Sequence, residues 1–165
     1  MPTWNEFHAD AVEIFKKFRT PGLGEKLILG ENTFVEQVLP GVIVRRLTED
    51  EMAVYRAPFP TPESRRPTWR FPNDLPIAGE PADVYSAIEE AHRALAQSSY
   101  PKLLFAGHPG ALVTPDFAEK FANGLQNCRV IHIGPGLHYL QEDNPEAIGS
   151  AVHKWLKELG TAAGS

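Results

Sequence analysis

The sequence predicts an α/β protein in which a helical first part is followed by a parallel βαβα unit, and three features predict it. Two short apolar runs, residues 102–106 (KLLFA) and 128–133 (CRVIHI), are separated by a stretch of helical period, and a second helical stretch follows them. Residues 1–100 carry helical periodicity and no clear strand pattern. Eight of the 15 prolines fall between Pro40 and Pro81, where each removes a backbone donor and fixes φ, so that region is neither regular sheet nor long helix.

Each element has a local cause. Thr3 and Glu6 have capping-box spacing at the start of a helix, and Phe7, Ala11, Ile14, Phe15 and Phe18 repeat on one face of it. Thr20-Pro21-Gly22 ends it. Short helical segments are expected at residues 23–29 and 33–39, the second stopped by Pro40-Gly41. Thr48 and Glu51 repeat the capping box and open a helix to about Arg56. The proline-rich stretch also holds Tyr55, Phe59, Trp69, Phe71 and Leu75, so it reads as ordered irregular chain with short helices. Residues 79–98 read as a helix with Pro81 in its first turn and Val84, Ile88, Ala91 and Leu95 on one face. Residues 102–106 are expected as a buried strand. Thr114-Pro115-Asp116 opens a helix bearing Phe117, Phe121 and Leu125, and residues 128–133 form the second strand. Asn144-Pro145 caps a last helix with Ile148, Val152, Trp155, Leu156 and Leu159 facing inward. The crossover between the strands is expected to be right-handed.

The totals fit one ordinary domain of 165 residues with 42% hydrophobic and 22% charged residues. A net charge of −5 disfavours a nucleic-acid partner. No apolar run is long enough for a membrane span and no secretory signal is visible. The single cysteine, Cys128, forms no internal disulfide, reads as small buried filler, and suits a reducing cytoplasm. No Cys/His spacing suggests a metal and no cofactor is implied.

Two parallel strands make an incomplete sheet, because parallel sheets need both faces covered and an open edge leaves backbone unpaired. The chain is therefore expected to complete its sheet with further strands, from the same gene or from a partner chain. The strongest local signal for chemistry is Gly134-Pro-Gly-Leu-His138-Tyr-Leu-Gln-Glu-Asp-Asn-Pro145, between the last strand and the last helix. In open α/β sheets ligands bind outside the carboxyl ends of strands, and a histidine there suits general-base work at neutral pH. Position alone does not separate it from an ordinary surface histidine.

The string GPGLHYLQEDNPEAIGSAV resembles the histidine loop and last helix of haloalkane dehalogenases of the α/β-hydrolase superfamily. PKLLFAGHPGALVTP resembles their penultimate strand and its loop, and PTWNEF, ENTFVEQVLPG and WRFPNDLPIAGEPADV resemble their cap domain. The similarity runs from Pro2 to about Leu159. It implies an α/β-hydrolase fold fragment: a helical cap domain over residues 1–78 and the C-terminal part of the core over residues 79–165. It implies a hydrolase converting a small halogenated alkane and water to alcohol and halide through an aspartyl alkyl-enzyme ester, with His138 as the catalytic histidine that activates water. The resemblance further places Phe7, Ala11, Phe15, Phe34, Gly41, Val42, Leu75, Ala111, Leu112 and Tyr139 around the substrate pocket, although periodicity alone makes the phenylalanines ordinary core.

The family's aspartate nucleophile, its halide-binding Trp and Asn, and the triad acid find no match here, so they are expected in an N-terminal half of the fold. Glu142 and Asp143 read as helix-start carboxylates rather than as that acid. Arg45, Arg46, Arg65, Arg66 and Arg70 read as a solvated basic face. His108 is placed near the pocket mouth; His8, His92, His132 and His153 are read as structural or exposed. Luciferase-like and epoxide-hydrolase chemistries share the fold, but Tyr55 and Tyr85 do not sit where epoxide hydrolases need paired cap tyrosines. A non-catalytic complementation module is the remaining alternative.

Overall fold

The structure, a computed structural model, describes residues 9–162. The Thr3–Glu6 capping pattern, Phe7 and His8 lie outside them. The chain forms two compact units: one holds the chain up to Gly41 and again Arg46–Ala94, the other holds Val42–Arg45 and the chain from Leu95 onward.

In the first unit, α1 (Ala9–Arg19) buries Phe18 and half-buries Ala11 and Phe15. Ile14 is 42% exposed, which corrects its place on the apolar face. At 100° per residue it sits on the flank of the Ala11–Phe15–Phe18 stripe. The chain then turns at Thr20–Gly22, and Gly24 lies so close to the Phe18 carbonyl that no Cβ would fit between them. The two short helical segments are present but wound wide. α2 (Leu23–Glu25) runs into a π-helical turn at Lys26–Gly30, and a second π-helical turn at Phe34–Val38 runs into α3 (Leu39–Gly41). The Glu31 amide donating to the Lys26 carbonyl at 3.0 Å, five residues back, is one of the wide bonds.

The capping box at Thr48 is present. Its hydroxyl accepts from the Glu51 amide, the Glu51 carboxylate accepts from the Thr48 amide at 2.7 Å, and α4 (Glu49–Arg56) follows. α5 (Arg66–Asp74) contains Pro72 and stops two residues beyond it. Carbonyls in this region outnumber local donors, and arginines supply the difference. Arg19 donates to the carbonyls of Pro72 (3.0 Å), Asn73 (3.2 Å), Leu75 and Glu80 (3.4 Å). Burial lowers the Arg19 pKa, and the Asp74 charge only partly offsets this. Arg65 donates to the carbonyls of Leu29 (2.8 Å), Gly30 (3.1 Å), Phe59 (2.9 Å) and Pro60 (3.3 Å). Arg65 is thus a structural donor rather than part of a solvated face. α6 (Ala82–Gln97) starts three residues later than expected; Val84 and Leu95 are half-buried, but Ile88 and Ala91 are exposed.

In the second unit, β1 (Lys102–Pro109) pairs in parallel with β2 (Cys128–Gly136), Lys102 opposite Cys128 and Ala106 opposite His132, with a register irregularity before His108 opposite Pro135. Both strands run three residues further than their apolar cores suggest, because backbone pairing continues through Gly and Pro. α7 (Pro115–Asn123) joins them and is capped by the Thr114 hydroxyl, which accepts from the Phe117 amide at 3.2 Å. α8 (Leu140–Asp143) and α9 (Pro145–Ala162) complete the unit.

The apolar residues here are less buried than expected. Leu103, Leu104 and Phe105 are half-buried, as is Cys128, and Leu156 on α9 is 55% exposed. A two-stranded sheet is too narrow a bed to cover a whole helix face. The fully packed β1 residues are Lys102, Ala106 and Gly107. Lys102 is 8% exposed, yet its ammonium donates to the carbonyls of Ser98 (2.8 Å), Tyr100 (3.0 Å) and Gln126 (2.9 Å). It also stands 4.4 Å over the Tyr100 ring. All three ammonium donors are used, so a buried cation is tolerated.

Replacing Arg19 with Met strands several partly buried carbonyls. The expected loss is about 2 kcal/mol in a urea-unfolding series, against less than about 0.5 kcal/mol for Arg93→Met, which breaks only an exposed pair with Glu89.

Candidate active site

The loop after β2 is held by its backbone, residue by residue. Gly110 donates to the Gly136 carbonyl at 3.0 Å, Ala111 to the Leu137 carbonyl at 2.9 Å, and the His138 amide donates to the Val42 carbonyl at 3.0 Å. Gly107 and Gly136 permit a close approach from above: a Cβ on either would meet the Leu140 side chain at 2.6 Å or 2.5 Å. Leu140 therefore packs over the strand ends and seats α8 directly after His138. Asn144 was expected only as a helix cap. Its side-chain amide instead donates to the Pro135 carbonyl at 2.6 Å, while its own carbonyl receives the Ile148 amide at the start of α9.

His138 is exposed, yet the chain around the imidazole removes enough water to lower its pKa. The ring is thus held in the neutral form near pH 7, the form that accepts a proton. The Tyr139 ring stands edge-on to it at 5.0 Å between centroids, and burial raises the Tyr139 pKa.

Glu142 and Asp143 do more than favour a helix start. Asp143 accepts from the Val44 amide with both oxygens at 3.0 Å and from the Arg45 amide at 2.9 Å. Arg45 donates through Nε to the Glu142 carbonyl at 2.7 Å and through a terminal nitrogen to its carboxylate at 2.6 Å. No local pattern signals these bonds, which join residues 97–99 apart in sequence.

The expected pocket residues fall into two groups. In the second unit, Val42, His138 and Tyr139 are neighbours, with Ala111 half-buried on the adjoining backbone and Leu112 exposed. In the first unit, Phe34 packs between Phe18 and Phe71 at 6.4 and 6.2 Å. There Ala11, Phe15 and Leu75 are half-buried and Gly41 is exposed. His108, His92, His132 and His153 are exposed; His132 bonds Glu119 at 2.7 Å. A groove of about 540 Å³ in the second unit lies at the starts of β1 and β2, floored by Lys102 and Cys128. It is at the opposite end of the strands from His138, and none of the expected pocket residues lines it. Among the described residues no group of His, Cys, Asp and Glu is arranged to hold a metal ion, and no helix is long and apolar enough to cross a membrane.

A parallel pair feeding a loop histidine and a closing helix is the last part of an α/β-hydrolase fold, and the comparisons agree. A solved haloalkane dehalogenase from Bradyrhizobium elkani matches 98% of this chain and 56% of its own length, with a TM-score of 0.96 and 60% identity. Curated haloalkane dehalogenases are 61% identical (Bradyrhizobium diazoefficiens; 94% of this chain, 54% of the relative) and 57% identical (Mesorhizobium japonicum; 94% and 51%). No family model matches the chain. The chain belongs with the haloalkane dehalogenases and corresponds to their C-terminal portion, spanning about half the length of the curated relatives it matches.

The lowered His138 pKa has a signed consequence. Below the ordinary value of 6.5 the unfolded chain takes up the proton before the folded one does. Stability is then lost as pH falls through that value toward the folded pKa, and is unaffected above it. Urea midpoints measured from about pH 8 to about pH 5 are expected to fall more steeply for the wild type than for His138→Gln.

Proposed function

We propose that this chain is the C-terminal part of a hydrolase that cleaves the carbon–halogen bond of small haloalkanes. The observation that carries the reading is His138, at the carboxyl end of β2 with its pKa lowered by desolvation, in a chain matched along nearly its whole length by haloalkane dehalogenases. An aspartate carboxylate displaces halide from carbon and forms an alkyl-enzyme ester. The neutral His138 imidazole takes a proton from water, and the resulting hydroxide attacks the ester carbonyl. Alcohol leaves, the carboxylate is regenerated, and His138 returns its proton to solvent.

The nucleophile, the halide-binding Trp and Asn and the triad acid belong to an N-terminal half of the fold, from the same gene or a separate chain. Residues 1–78 serve as the cap. The resemblance assigns Phe7, Ala11, Phe15, Phe34, Gly41, Val42, Leu75, Ala111, Leu112 and Tyr139 to an apolar substrate pocket suited to a halogenated alkane. The site of action is the cytoplasm, with neither nucleic acid nor membrane as partner.

The test is halide release by the protein as its gene encodes it. Wild type is expected to turn over repeatedly. His138→Gln is expected to release about one halide per enzyme and stop with the alkyl ester intact, seen as a mass increase on the protein. Repeated turnover by His138→Gln would exclude His138 as the base. Residues 1–165 alone are expected to release no halide.

A further inference from the structure

We propose that Asp143, acting with Arg45 and Glu142, is a positioning residue for His138: it pins the strap Val42–Arg45, whose first carbonyl holds the His138 main chain. The inference rests on the reading of His138 as the base.

The bonds close a ring. The His138 amide donates to the Val42 carbonyl at 3.0 Å. Two residues beyond Val42, and again at Arg45, the strap amides donate to Asp143, which sits five residues after His138 at the end of α8. Arg45 fastens the same end of the strap to Glu142 through its carbonyl and its carboxylate. His138 is therefore fixed from two directions. The chain before it is held by the Gly110 and Ala111 amides, and its own amide by the strap. The amide bonds to Asp143 are charge-assisted, hence stronger than neutral ones. Arg45 and Glu142 have side chains 37% and 20% exposed, so their pair is less screened than the outer pairs of the molecule.

Without Asp143 the strap has lost two of its backbone anchors, and the Val42 carbonyl is free to move away from His138. A base displaced by about 1 Å loses much of its rate, because proton transfer from water requires hydrogen-bond reach. The step that forms the ester does not use His138 and should survive. Asp143→Ala therefore separates two steps of one reaction, which a general loss of stability would not do.

The experiment uses the protein as its gene encodes it and compares wild type, Asp143→Ala, Glu142→Gln and Glu119→Gln. The last breaks an exposed pair with His132 on the same unit that does not touch the strap. The expected result for Asp143→Ala is an intact first burst of halide and a steady-state kcat lower by roughly 10- to 100-fold. The His138 ring resonances in a proton–carbon NMR spectrum are expected to shift or broaden. Glu142→Gln should change both readouts in the same direction and by less, and serves if Asp143→Ala does not fold. Glu119→Gln should change neither. Wild-type steady-state turnover with an unchanged His138 ring signal in Asp143→Ala overturns the proposal, as does an equal loss of burst and steady-state rates. A wild type that releases no halide overturns the reading of function instead. The ring signal alone then decides the strap, its invariance in Asp143→Ala overturning it.

Discussion

A shortage of backbone donors is the constraint around which this molecule is built. Fifteen prolines remove fifteen N–H groups and leave every carbonyl in place. Irregular chain has no ladder in which those carbonyls can be matched. The molecule makes up the deficit with cationic side chains whose several donors are spread over several carbonyls. Arg19 serves the end of α5 and the turn beyond it, Arg65 ties two irregular stretches, and Lys102 gathers the chain ends that follow α6 and α7. These cations differ from Arg56, which pairs with the carboxylates of Glu36 and Glu49, and these bonds raise its pKa. The first kind replaces missing backbone bonds; the second joins charged side chains.

The same economy runs through the loop that carries His138. The Asn144 side chain bonds the loop at the Pro135 carbonyl, and the rest of the hold before His138 is backbone. Glycine at 107 and 136 lets Leu140 lie close over the strand ends, and main-chain bonds from Gly110, Ala111 and Val42 do the holding. The imidazole, beside the Tyr139 ring, is partly desolvated, which lowers its pKa, and still exposed, which leaves it reachable. Exposed pairs elsewhere on the same unit, His132–Glu119 and Arg129–Glu158, contribute at most about 1 kcal/mol each and do not shape the loop.

Much of this was legible in the sequence. The capping box at Thr48 and the cap at Thr114 state their helices locally, and the apolar runs at 102–106 and 128–133 state the parallel pair. His138 was legible as a candidate because the loop lies between a strand and a helix. Less was readable where the cause is distant. The π-helical winding of residues 26–30 and 34–38 has the same apolar spacing as ordinary helix. Ile14, Ile88 and Leu156 fit a periodic stripe, but a stripe says which side is apolar and not how wide the bed beneath it is. The roles of Arg65, Arg45 and Asp143 depend on carbonyls or amides far along the chain, that of Lys102 on carbonyls both near and distant, and a backbone group carries no residue-type signal at all.

The strap shows where such backbone-based bonds leave freedom. Its bonds use the Val42 carbonyl and the amides of Val44 and Arg45, and the Val44 side chain is 52% exposed. Evolution can therefore exchange the side chain at 44 widely while the strap keeps its place. Proline is barred there and at 45, since either would delete the amide that Asp143 receives. A residue inserted between 42 and 44 would shift that amide out of reach, while lengthening the chain beyond Arg45 need not. Position 44 can vary widely in side chain while the strap can hardly vary in length, the reverse of what an exposed loop ordinarily permits.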